Sequence, residues 1–145
     1  MDLFSRKIIG WKVDDNMEEH LIIDPFKRLI KSRQPPKGMI VHSDFGSQYG
    51  SILFRTLLRK HELRQSMTRP EDHYDNAYIE SLFSRFKAEI LDEGAFDDLP
   101  NANIRVFEYI DGYYNTIRKH SGIGYMNPVQ FEDQYWIKYW KDNEP

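Results

Sequence analysis

The chain has 145 residues, of which 40% are hydrophobic and 30% charged, with a formal net charge of −3 and no cysteine. That is room for one modest domain. It excludes disulfides, thiol nucleophiles and cysteine-ligated zinc, and no apolar run has the length of a membrane span.

A protein of the cytoplasm is the expectation from this composition, without a membrane partner. Charge is uneven along the chain: residues 1–60 hold 11 Lys/Arg against 7 Asp/Glu, and residues 61–145 hold 9 against 16. Contacts to a phosphate backbone need positive charge locally rather than globally, so a DNA-facing front half is compatible with the acidic total. Many neutral globular proteins are as lopsided.

Residues 7–13, Lys-Ile-Ile-Gly-Trp-Lys-Val, read as a strand before a polar turn. Over 17–30 the apolar residues Leu21, Ile22, Phe26, Leu29 and Ile30 recur at helical spacing, with a kink expected at Pro25. The run Gln34-Pro-Pro-Lys-Gly38 ends that helix. A short strand at 39–42 leads into the polar segment 43–47. A helix follows over 49–61, with Leu53, Leu57 and Leu58 on its buried side. A strand at 63–66 precedes a turn at 68–72, then come helices at 74–89 and 99–117. The second of these carries Ile104, Phe107, Ile110 and Tyr114. Phe131, Tyr135, Trp136, Tyr139 and Trp140 have helical spacing as well. Strands alternating with helices make an α/β protein.

Asp44 follows the strand at 39–42 and precedes Phe45-Gly46-Ser47. A polar residue just beyond the carboxyl end of a strand stands where α/β proteins build sites, although a turn residue or helix cap looks the same. Glu80 lies on a helix whose polar stripe is Asn76, Glu80, Ser84 and Lys87, beside an apolar stripe of Ile79, Phe83, Phe86 and Ile90. The stripe is either a solvated face or a place where a carboxylate meets a divalent cation and an ammonium meets a phosphate. Together, two carboxylates from separate elements supply part of what two-metal phosphoryl transfer requires, and a third ligand is needed. His42, His61, His73 and His120 form no i, i+4 zinc pair. Neither a Gly-x-Ser-x-Gly elbow nor a phosphate-binding glycine loop is present.

In order, four segments resemble the DDE transposases of bacterial insertion sequences, relatives of retroviral integrases. They are Asp2-Leu-Phe-Ser-Arg-Lys-Ile-Ile-Gly-Trp11, then His42-Ser-Asp-Phe-Gly-Ser-Gln-Tyr49, then Tyr74-Asp-Asn-Ala-Tyr-Ile-Glu-Ser81 with Phe83, Lys87 and Glu89. The last is Tyr114-Asn-Thr-Ile-Arg-Lys-His-Ser121 with Gly124, Tyr125, Pro128, Phe131 and Glu132. Thirty-five residues separate Asp44 from Glu80, the family's own spacing.

The resemblance implies a ribonuclease H-like integrase core over residues 1–132, with an aromatic tail over 133–145. It implies a mixed five-stranded sheet in the order 3-2-1-4-5. Residues 7–13, 39–42 and 63–66 would be strands 3, 4 and 5, and the first two strands would be missing. Asp44 and Glu80 would be catalytic and would ligate Mg²⁺ or Mn²⁺ in a two-metal site. Asn76 would order the site, Lys87 would contact a DNA phosphate, and Arg118 and His120 would lie near DNA. The family's first catalytic Asp lies ahead of the segment matching residues 2–11, so a truncated catalytic domain, inactive by itself, is expected. Its partners would be transposon-end and target DNA, a second copy, or a full-length transposase. The alternative is a fragment that binds DNA or a transposase without catalysis.

Overall fold

A computed structural model describes residues 1–68, 76–91, 94 and 96–144. The expected turn at 68–72, His73 and the start of the helix expected from 74 therefore lie largely outside the described residues. The chain forms two compact units, Gly10–Gly94 and Met1–Ile9 with Ala95–Pro145.

The first of these holds a strand–helix–strand repeat. Helix α1 (His20–Arg33) runs through Pro25, which lacks the N–H that would bond the Leu21 carbonyl. It ends at Gln34, whose left-handed backbone (φ 45°) lets its N–H reach the Ile30 carbonyl. Strand β1 (Ile40–Ser43) follows, then α2 (Ile52–Lys60) and β2 (Arg64–Met67). The two strands pair in parallel, with His42 opposite Ser66 and Ser43 opposite Met67. Parallel strands require a crossover, which α2 supplies. Ser51 caps that helix by accepting from the Phe54 N–H at 3.2 Å.

Ile23, Phe54, Leu58 and Leu63 form the core of this unit, with Ile22, Phe26, Met39, Val41, Tyr49 and Leu57 packed around them. The ring of Phe54 meets Phe26 and Tyr49 edge-on at 5.3 and 5.6 Å. The buried stripe of α2 is thus Phe54, Leu57 and Leu58, and Leu53, expected inside, is exposed. One position of rotation about the helix separates the two readings, and the larger Phe54 occupies the core side.

Helix α3 (Ala77–Leu91) closes the unit. Ile90 is buried on it, whereas Phe83 is exposed, so the expected apolar stripe is only partly covered.

In the other unit, α4 (Leu99–Phe107) is capped by Asp98, which accepts from the Asn101 N–H at 2.7 Å. It passes directly into a π-helical stretch, Glu108–Tyr114. Ala102, Val106, Tyr109, Ile110 and Tyr114 are buried, while Ile104 and Phe107 face solvent. The wider repeat carries the Asn115 N–H back to the Ile110 carbonyl at 3.0 Å, which changes which later residues face inward. A 3₁₀ turn (Ser121–Ile123) precedes α5 (Pro128–Asp142), the helix expected from the aromatic spacing. Asn127 and Gln130 form a capping box at its start.

Residues 7–13 do not form a strand. The side-chain amide of Asn115 takes the place of a strand neighbour at Ile8, accepting from its N–H and donating to its carbonyl, both at 3.0 Å. Gly10 passes so close to α1 that a Cβ there would lie 2.9 Å from the Pro25 carbonyl oxygen. No helix among the described residues is long and apolar enough to cross a membrane.

Candidate active site at the end of the parallel strands

Asp44 is the first residue after β1 and is exposed. Its Oδ1 accepts from the Gly46 N–H at 3.0 Å, which folds the backbone back beside the carboxylate. A Cβ at Gly46 would stand 3.0 Å from that same oxygen and 3.1 Å from Gln48 Oε1. A side chain there would crowd these two movable groups, and the φ of Gly46 is not positive. The Tyr49 phenol is pushed above its ordinary range by burial and, secondarily, by the Asp44 charge. Gln65, on β2, donates to the Tyr49 carbonyl at 2.7 Å and pins the loop to the sheet.

Glu80 lies in the first turn of α3, exposed, as do Ser84 and Lys87 further along the helix. The periodicity expectation holds here: Glu80, Ser84 and Lys87 share a solvent-facing line.

The link between the two carboxylate-bearing elements is Thr68, which is buried. Its backbone N–H donates to the carbonyl of Ser43, the residue before Asp44, at 3.0 Å. Its Oγ1 accepts from the Asn76 side-chain amide at 2.6 Å, and Asn76 stands one helical turn before Glu80. His42 reaches the same hydroxyl through Nε2 at 3.0 Å and Ser66 Oγ through Nδ1 at 2.9 Å. One side chain thus touches the backbone next to Asp44 and the side chain one turn from Glu80.

Sequence reasoning considered His42 only as a zinc ligand and overlooked Thr68 and Ser66. The available signal was the polar alternation of Ser66 on β2 and Thr68 just past its end, beside His42 on the parallel neighbour.

Carboxylate oxygens are the hard donors that Mg²⁺ and Mn²⁺ prefer, so Asp44 and Glu80 fit such an ion in kind. Among the described residues no group of three or more His, Asp or Glu is arranged to hold a metal. In number, the donor set that these two supply is partial.

Arg118 and His120 belong to the other unit. Both are half-exposed and gather at Tyr114. The His120 ring meets that of Tyr114 edge-on at 4.8 Å. Burial pushes the Tyr114 phenol up, opposed by the charges of Arg118 and then Arg6. A backbone bond from His120 to the Met126 carbonyl at 3.0 Å holds the segment before α5.

Two integrase core domain models match the chain, one over residues 1–73 and a second over residues 61–128. The transposase for insertion sequence element IS904 of Lactococcus lactis is 40% identical over 132 residues, 91% of this chain and 52% of that protein. The InsF transposase for insertion sequence IS3A of Escherichia coli is 37% identical over 134 residues, 92% of this chain and 46% of that protein. The chain therefore spans about half the length of these relatives. Among solved structures, the catalytic core domain of BIV integrase superposes with a TM-score of 0.60 at 14% identity, covering 88% of this chain and 80% of that one. That likeness shows the fold, a ribonuclease H-like integrase core. The expected five-stranded sheet is represented among the described residues by β1 and β2.

Proposed function

The chain belongs to the integrase core domain family, and on that premise we propose that it carries part of the active site for metal-dependent DNA cleavage and strand transfer in transposition. The similarity to insertion-sequence transposases across most of the chain supports this reading. The observation that carries it at the level of residues is the Thr68 bridge, which ties the end of β1 to the start of the helix bearing Glu80.

In this reading Asp44 and Glu80 hold Mg²⁺ or Mn²⁺. When bound, such ions neutralise charge on the scissile phosphate and lower the pKa of an attacking hydroxyl or water. Lys87, exposed on the Glu80 line, is a point-charge contact for a DNA phosphate. Arg118 and His120 provide a second basic contact beside Tyr114. Asn76 acts indirectly, through its bond to Thr68. Two carboxylates hold a pair of ions poorly, so the chain by itself binds metal weakly and does not turn over. A third carboxylate, from outside residues 1–145, completes the set.

Mn²⁺ titration of the purified chain, followed by electron paramagnetic resonance, tests the pair. Asp44→Asn and Glu80→Gln should each abolish uptake without lowering thermal stability. With Mn²⁺ bound, a crystal structure should place the two carboxylates about 4–8 Å apart. Uptake that survives both substitutions would remove the assignment. Gel shifts with transposon-end DNA examine the partner: Lys87→Ala should weaken binding and flatten its salt dependence by about one charge. Metal-independent association with DNA, or with an intact relative, would favour a non-catalytic binding fragment.

A further inference from the structure

The hydroxyl of Thr68 has one proton and two lone pairs, and the structure uses all three. Asn76 donates to it at 2.6 Å, and His42 Nε2 lies at 3.0 Å. The hydroxyl in turn donates to the Ser43 carbonyl at 3.4 Å. In the arrangement where its proton goes to Ser43, the oxygen accepts from His42 and Nε2 carries the imidazole proton. Nδ1 then accepts from the Ser66 hydroxyl at 2.9 Å. Thr68 and Ser43 are both buried, so these partners have little water to replace them.

We propose that His42 and Thr68 are positioning residues, whose saturated hydrogen-bond set fixes the spacing and orientation of the Asp44 strand end relative to the Glu80 helix. The proposal rests on reading Asp44 and Glu80 as a metal-binding pair. It adds that the pair's geometry is set by two side chains that never touch the ion. Metal ligands held by such supporting bonds lose about ten- to a hundredfold in affinity when the support is removed. The donor set here is incomplete, which leaves it especially dependent on preorganisation.

Thr68→Val removes the hydroxyl at nearly constant shape, and Thr68→Ser keeps it. In the full chain, Thr68→Val should weaken Mn²⁺ binding about tenfold or more, while Thr68→Ser stays within about twofold of the parent. Hydrogen exchange supplies a readout that needs no metal. Thr68→Val should speed exchange at residues 44–46 and 80–84 together, Thr68→Ser should not, and Glu80→Gln should leave it unchanged. Nitrogen-15 resonances of the parent's His42 should show Nε2 protonated. A bare Nε2 beside a protonated Nδ1 would overturn the proposal, as would Thr68→Val that leaves exchange at both segments untouched. If the parent itself takes up no Mn²⁺, the metal reading fails, and exchange alone decides whether Thr68 locks the two elements.

Discussion

In the unit formed by Met1–Ile9 and Ala95–Pro145, buried polar side chains fasten one stretch of backbone to another. Asn115 clamps Ile8 from both sides, Glu132 receives Ser5 Oγ at 2.8 Å and Lys7 Nζ at 2.9 Å, and Asn127 donates to the Thr116 carbonyl at 2.5 Å. In the unit Gly10–Gly94 the backbone is held by a parallel strand pair over an apolar cluster. Its buried polar residues, Ser43 and Thr68, collect instead at the end of the strands beside the candidate site. The difference teaches that a buried hydroxyl or amide is not by itself a functional sign. In one unit such groups substitute for a missing ladder, and in the other, where a ladder exists, they are available to orient side chains.

The largest expected effect tests the apolar half of that contrast. Phe54 is 1% exposed at the centre of its cluster. Phe54→Ala should cost about 3–5 kcal/mol, a large share of the roughly 5–15 kcal/mol of a typical domain. Native-state hydrogen exchange should show the loss first at residues 40–43 and 64–67. Equal loss of protection across residues 99–142 would show that the two units unfold as one and that the contrast is not energetic.

Asn115→Leu attacks the other half. It keeps the volume but leaves the Ile8 N–H and carbonyl, both on a buried residue, without the amide that satisfies them. Each orphaned group costs about 1–3 kcal/mol, about 2–6 kcal/mol for the two, and the buried leucine side chain offsets part of that loss. Chemical denaturation should show the remainder, with Mn²⁺ affinity unchanged. A change in metal affinity would break the separation between fastening and orienting groups.

Glu132→Gln is a gentler version. Glu132 is buried, with a side chain 11% exposed against 26% for Lys7. Replacing the carboxylate keeps an acceptor for Ser5 and removes the charge facing Lys7, so about 1–3 kcal/mol is expected. Pairing it with Lys7→Met should recover part of that loss, because both charges then leave together.

These contrasts also show what was legible beforehand. The strand–helix–strand order, the helix carrying Glu80 and the aromatic helix α5 were readable because hydrophobic period and turn residues agree there. Residues 7–13 misled because β-branched residues and Trp11 satisfy a strand's composition. What a strand needs is a neighbour, and at Ile8 an amide 107 residues away stands in for one. Ile104 and Phe107 misled for a geometric reason: a 3.6-residue period cannot foresee the wider π-helical repeat that follows. At the site, Asp44 and Glu80 came from the resemblance and their spacing. Thr68 was invisible to both, since its importance arises only when the two strands lie side by side.

The smallest effect concerns a half-buried charged fastening in the unit Gly10–Gly94, and it asks whether charge does there what buried amides do elsewhere. His20 Nε2 lies 2.8 Å from Asp14 Oδ2, and Lys12 Nζ lies 3.6 Å from that oxygen and 2.8 Å from Asp24. The hydrogen bond from His20, helped by the Asn16 N–H, lowers the Asp14 carboxyl from 3.8 to about 2. A depressed carboxyl stabilises the folded state fully above its unfolded value and loses that contribution as pH falls through the folded one. Asp14 should therefore help at neutral pH and stop helping between about pH 4 and pH 2. Solvent screens such a pair, so Asp14→Asn should lower the neutral-pH melting temperature less than any substitution above. Its signature is the acid limb: the parent should lose stability faster than the variant on acidification through that window. Parallel acid limbs, or an Asp14 side-chain resonance titrating near 3.8, would show that the cluster is a crowd of charges and not a fastening.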